Sequence, residues 1–142
     1  MSITDGAKIF IKNDKLDKYL FVLRDNKPNI PNPNMWGLFG GGIELGEDPA
    51  ETIKRELLEE TNIDVFDIKK IYAKNVCHNV QGKEYNITGY YFIGKTHVNN
   101  VSKVILHEGQ KVSFFSLEEI VKKKNVAPSI KELILLCKKE LT

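Results

Sequence analysis

Eight carboxylates fall between Gly41 and Asp64: Glu44, Glu47, Asp48, Glu51, Glu56, Glu59, Glu60 and Asp64. Only Lys54 and Arg55 oppose them, so the stretch is net −6 in a chain whose total is +2. Glu56, Glu59 and Glu60 are spaced to share one helix face, because side chains three and four positions apart are neighbours. Lys54 and Arg55 lie off that arc. Carboxylates this close do not all ionise without a counter-charge. A hard divalent cation supplies one, since carboxylate oxygens suit Mg²⁺ or Mn²⁺, ions that keep waters and take up substrate phosphates. A solvated helix face with salt bridges is the competing reading. Gly40, Gly41 and Gly42 come just ahead, and glycines permit close backbone approach. A main-chain carbonyl there is a further candidate ligand. The rival reading, a phosphate-cradling loop, needs a following Gly-Lys-Ser or Gly-Lys-Thr, which is absent.

These residues need elements to hold them. Asp48 is the expected N-cap of a helix, with Pro49 at the first position and Glu51 completing a capping box. The helix runs to about Thr61, and Asn62 is the expected left-handed residue after it. Ala50, Ile53 and Leu57 form an apolar face beside the acidic one, available to pack on a sheet. "AKIFIK" (Ala7–Lys12) and "KYLFVLR" (Lys18–Arg24) read as a hairpin. "DNKPNIPNPNM" (Asp25–Met35) is a Pro- and Asn-rich loop, long enough to be functional. Two long strands follow the helix, Asp67–Val80 and Glu84–Val98, with a turn around Gln81, Gly82 and Lys83. Gln110–Ser116 is a last strand. A short helix at Leu117–Asn125 and a C-terminal helix over Ala127–Leu141, opened by Pro128, close the chain. The pattern gives an α/β fold with a mixed sheet between helices, in one domain over residues 1–142.

The stretch from Gly41 to Ile63 resembles the Nudix box. Gly41 opens it, Glu47 follows at the family spacing, and Arg55, Glu56, Leu57, Leu58, Glu59, Glu60, Thr61, Asn62 and Ile63 follow the box order. Every fixed position matches except the last glycine, replaced by Asn62. The preceding "WGLFGG" is similar to the family's Trp-Gly-Leu-Pro-Gly-Gly, with Phe39 for proline. The resemblance implies a Nudix-type α/β/α sandwich and hydrolysis of a nucleoside diphosphate linked to another group, with Mg²⁺ or Mn²⁺. It implies Glu56, Glu59, Glu60 and the Gly41 carbonyl as metal ligands. Arg55 would orient a box glutamate, and Glu47 would hold the loop–helix–loop together. Glu108 resembles the late-loop glutamate of the dNTP-cleaving members, making Glu108 and Glu59 the candidate catalytic bases.

The favoured substrate is a nucleoside triphosphate, ordinary or oxidised, cleaved to monophosphate and pyrophosphate. Nucleotide sugars, ADP-ribose, dinucleoside polyphosphates and a non-catalytic nucleotide-binding module stay open as alternatives. Arg24, Lys8 and Lys74 are candidates to face the phosphates. Trp36, Asn34, Tyr90 and Phe92 are candidates near a base, with core packing the alternative for Trp36. An RNA-end hydrolase is a further rival, and against it, and against nucleic acid as partner, stand the near-neutral charge and the lack of a basic and aromatic strip. No signal peptide is expected from "MSITDGAKIF", and no apolar run is long enough to span a membrane. Cys77 and Cys137 share no metal spacing and are expected as reduced thiols, hence a cytoplasmic protein. A homodimer is the default assembly.

Overall fold

The computed structural model describes residues 4–141. Met1–Ile3 of the stretch read for a leader, and Thr142 at the expected domain limit, lie outside them. Seven strands form one sheet: β1 (Gly6–Asn13), β2 (Tyr19–Leu23), β3 (Trp36–Gly37), β4 (Phe39–Gly42), β5 (Phe66–Val80), β6 (Lys83–Thr96) and β7 (Lys111–Phe115). The helices are α1 (Pro49–Glu60), α2 (Leu117–Lys122), α3 (Pro128–Leu136) and α4 (Lys138–Leu141). The sheet path is β3-β2-β1-β6-β5, with β4 on β1 and β7 on β2. β1 and β6 run parallel and the other named pairs antiparallel, so the sheet is mixed.

Strand alternation sorts the core into two layers. On one face Ala7, Ile9, Ile11, Leu20, Val22 and Phe39 pack with Ile53 and Leu57 of α1. On the other, Phe10, Tyr19, Phe21 and Leu23 pack with Ile120, Ile130, Leu133 and Ile134 of α2 and α3. This is an α/β/α sandwich. β2 is buried along its whole length, as a strand covered on both faces must be. Among the described residues no helix is long and apolar enough to cross a membrane. Cys77 and Cys137 are both free thiols, the first exposed and the second buried.

Several boundaries differ from the sequence expectation. Asp48 caps α1 through the Ala50 amide at 3.2 Å, one residue short of the Glu51 amide that a capping box uses, so the expected box gives way to a simple N-cap. Asn62 is not left-handed. Thr61 leaves the helix extended (φ −146°, ψ 174°) and bridges Leu106. That exit leaves Asn62 to use its side chain instead, donating to the Lys103 carbonyl at 3.0 Å and accepting from the Ile105 amide at 2.8 Å. The C-terminal helix breaks at Cys137 (φ −109°, ψ 21°). The chain there turns inward so that Leu141 plugs the core and accepts a hydrogen bond from the Tyr19 hydroxyl. Of Lys122–Lys124, only Lys122 belongs to α2, and Lys123 lies 4.7 Å over the Phe115 ring.

Candidate active site

The glycine run is a strand. Gly42, Gly41 and Gly40 pair with Gly6, Ala7 and Lys8 of β1. Gly40 has φ +143°, and a Cβ there would strike the Ala7 carbonyl. At Gly41 a Cβ would overlap the Glu56 carboxylate, so the bare backbone is what lets that side chain lie against β4. α1 packs on β1 and β4 through Ile53 and Leu57, which aims Glu56 and Glu60 past the glycines.

A cavity of about 330 Å³ opens at this point. Glu56, Glu60, Glu108 and the Gly40–Gly41 backbone line its acidic side. Lys8 and Arg24 line the other side, with Asp25 and Ile30 of the Pro- and Asn-rich loop nearby. A second cavity of about 200 Å³ adjoins it, sharing Lys8, Arg24 and Leu38. It adds Pro31, Asn32, Tyr91 and, at the start of α3, Ser129 and Ile130. Glu108 reaches the cleft because its loop is pinned at several points. His107 N–H donates to the Glu60 carbonyl at 2.7 Å, Gln110 N–H to the Leu23 carbonyl at 2.8 Å, and Gly109 takes φ +95° between them.

The electrostatics are polarised. Glu60 is pushed up to about 8, chiefly by burial, then by its hydrogen bond to Glu56 and the charges of Glu56 and Glu108. Burial and the neighbouring carboxylates of Glu56 and Glu108 therefore disfavour the charged form of Glu60. The Lys8 ammonium is pulled below its ordinary range by burial first and by Arg24 second, with Glu60, Glu56 and Glu108 opposing. It makes no ion pair among the described residues.

Arg55 lies at the centre of the box. It donates Nε–H to Glu47 Oε2 at 2.7 Å, and its Nη2 donates to Glu47 Oε1 at 3.0 Å and the Gly42 carbonyl at 2.9 Å. One terminal nitrogen also meets Glu56 at 3.0 Å and Glu59 at 3.2 Å. The expectation that Arg55 stands off the acidic arc is thus corrected. Its backbone position is off the arc, but its long side chain swings back, drawn by four carboxylates that include Glu44 at 3.6 Å. Glu47 completes the clamp by accepting from Thr52 Oγ at 2.6 Å and the Glu44 amide at 3.1 Å. These bonds, that from Arg55 foremost, hold its carboxyl down to about 2.

A family model, NUDIX domain, matches residues 3–137. The chain belongs to the Nudix family. It is 30% identical over 97 residues to a Helicobacter pylori (strain G27) protein named RNA pyrophosphohydrolase, an alignment covering 62% of this chain and 63% of that one. The chain thus spans under two thirds of the length of this curated relative. In fold it is similar to a MutT protein from Methanosarcina mazei Go1 (TM-score 0.70, 23% identity, 99% of this chain and 97% of that one). It is also similar to the NUDIX domain of Shewanella oneidensis NrtR, solved with ADP ribose (TM-score 0.72, 19% identity, 100% of this chain and 90% of that one).

Of the residues singled out from the sequence, Gly41, Glu56, Glu60, Glu108, Lys8 and Arg24 line the first cavity. Glu59 does not. It is 58% exposed and turned to Arg55, and among the described residues no group of three or more His, Cys, Asp or Glu is arranged to hold a metal. Trp36 is a core residue, 5% exposed and packed edge-on to Phe115 at 5.0 Å, so its place is not in the cleft. Lys74 is taken by Glu132 at 2.7 Å. Tyr90 and Phe92 lie on the α1 side of the sheet, and Asn34 accepts from Gln110 at 3.0 Å. Sequence reasoning missed Tyr91, Ser129 and Asn32. Strand alternation was the available signal for Tyr91, since choosing 90 and 92 chose the wrong face of β6.

Proposed function

We propose that the chain is a divalent-cation-dependent pyrophosphohydrolase that cleaves a nucleoside 5′-triphosphate to the monophosphate and pyrophosphate. The observation that carries this reading is one cavity with Glu56, Glu60 and Glu108 facing Lys8 and Arg24. The donor set fits a hard cation, because Glu56, Glu60 and Glu108 crowd one cavity wall, their proximity disfavours the charge on Glu60, and Gly41 adjoins them. Glu56, Glu60 and the Gly41 carbonyl would hold the ion, with Glu59 on the same helix as a further candidate ligand. When bound, it supplies charge neutralisation on the phosphates and acidifies water.

The chain's own residues do the rest. Lys8 and Arg24 bind the phosphate oxygens, and Arg24 is steadied by its Nε–H bond to the Pro31 carbonyl at 2.9 Å. Glu108 takes the proton of the attacking water, whose oxygen adds to phosphorus as the P–O–P bond breaks and pyrophosphate leaves. Arg55 is a positioning residue that holds Glu56 toward the cavity. ADP-ribose or another nucleoside diphosphate derivative is the next reading, since the NrtR domain was solved with ADP ribose. A triphosphate at an RNA 5′ end is favoured by the Helicobacter pylori relative's name.

A nucleotide panel with Mg²⁺ and then Mn²⁺, scored for pyrophosphate, tests the reading. Glu56→Gln is expected to lower turnover by about 100-fold or more while the melting curve holds. Unchanged turnover overturns the site.

A further inference from the structure

β5 and β6 outrun the sheet. Among the described residues β1 pairs β6 from Gly89 onward, while β5 and β6 stay paired to Val80 and Lys83. The outer part is a two-stranded ribbon closed by Gln81 (φ +52°) and Gly82 (φ +81°). It projects about 20 Å at some 3.4 Å per residue. Such a ribbon gains little stability by itself, so its length needs another reason.

Alternation decides what each face carries. Facing pairs are Tyr72 and Tyr91, Lys74 and Gly89, Val76 and Ile87, His78 and Tyr85, and Val80 and Lys83. These side chains share the α3 side of the sheet, and Tyr91 at the inner end lines the second cavity. Gly89 leaves room there for the Tyr91 ring to lie flat along the strand. The face thus runs from the cleft outward as tyrosine, lysine, aliphatic pair, histidine and tyrosine, then lysine. Among the described residues the acid placed against it is Glu132 of α3, paired with Lys74. Lys83 stands 5.3 Å over the Tyr85 ring and makes no ion pair among the described residues. Glu84 points to the opposite face, beside Asn79.

We propose that this face binds the single-stranded RNA tail of a substrate whose 5′ phosphates occupy the cleft. The inference rests on the pyrophosphohydrolase reading for the cleft, and the ribbon supplies the surface. Aromatic rings interleaved with cations hold single strands by stacking and phosphate contact without reading sequence. Continuity with the cleft fixes the occupant, since a chain leaving the second cavity past Tyr91 meets this face next. The strip is hidden in the linear sequence because its members alternate with Asn75, Cys77, Asn79, Glu84 and Asn86 of the other face.

The test uses ribbon residues remote from both cavities. A 3′-labelled single-stranded oligoribonucleotide of about eight nucleotides with a 5′ monophosphate is titrated by fluorescence anisotropy. Tyr85→Ala with His78→Ala is expected to weaken binding about tenfold or more. Lys83→Ala is expected to make the salt dependence shallower by roughly one phosphate contact. Hydrolysis of a free nucleoside triphosphate by these variants stays within about twofold of the parent. Equal affinity of parent and variants overturns the inference, as does competition by poly-glutamate equal to that by RNA, which would mark an acidic protein partner instead. Should the parent hydrolyse no nucleotide while the binding difference holds, the reading of the cleft falls and the ribbon inference stands.

Discussion

Gly41 and Gly40 are adjacent and do different work. At Gly41 a methyl would meet the flexible end of the Glu56 side chain, which can shift off its Arg55 bond to make room. At Gly40 it would meet the Ala7 main chain in a backbone already at φ +143°. Gly41→Ala is therefore expected to leave stability within about 1 kcal/mol of the parent while turnover falls about 100-fold, because a displacement near 1 Å at a reacting centre costs that much. Gly40→Ala is expected to lower the melting temperature outright, since neither the strained backbone nor the carbonyl can give way. Parallel melts and pyrophosphate assays separate the two, and a pair of variants with the same profile would refute the assignment. At this scale the sequence is informative where side-chain type decides, and Glu56, Glu60, Glu108 and Arg24 line one cleft. It is less so where direction decides. Arg55 folds back across a helix face, and Glu59 follows it away from the cavity. Neither is visible in residue spacing.

At the scale of elements, α1 and the loop before it are held by the Arg55–Glu47 clamp rather than by a full capping box. Glu47 joins Thr52, the Glu44 amide and Arg55, so one carboxylate ties loop to helix. Its folded value is held at about 2 against an ordinary 4.5. The unfolded chain therefore binds the proton more readily between these values, and the clamp's stabilisation is complete above pH 4.5. It drains away as pH falls from about 4.5 through 2. Glu47→Gln is expected to melt lower than the parent near neutral pH and to show a flatter acid limb across that window. Melting curves taken at intervals down to pH 2 check this, and acid limbs that superimpose would show that the clamp carries no such linkage. The elements themselves were legible, hairpin, box helix and long strand pair alike, because each has a strong periodic or capping signature. The misread ends, Asn62 and Cys137, are places where tertiary partners outbid local preference. Thr61 finds Leu106 across a loop, and Leu141 finds the core beneath Tyr19.

At the scale of the molecule, the sheet divides its labour by position. Its interior strands bury two apolar layers. The ends of β1, β2 and β4, with α1 and the Glu108 loop, gather like charges that folding alone does not reward. Glu60 sits half-buried against Glu56 and Glu108, which disfavour its charge, an arrangement that costs stability unless a cation or substrate is present. A ligand bound by the native cluster and not by the dispersed glutamates of the unfolded chain must raise stability in proportion to RT ln(1 + [L]/Kd). At an ion concentration about 100 times the dissociation constant, that is about 2.7 kcal/mol. For a domain of this size it amounts to a rise of several degrees in melting temperature. The expected result is a rise with several millimolar Mg²⁺ or Mn²⁺, reversed by EDTA. Double replacement Glu56→Gln with Glu60→Gln should melt higher than the parent without the ion and gain nothing from it. A parent indifferent to both ions, or a double variant that still responds, would place the cation outside this cleft and leave the carboxylates without the counter-charge on which the hydrolytic reading depends.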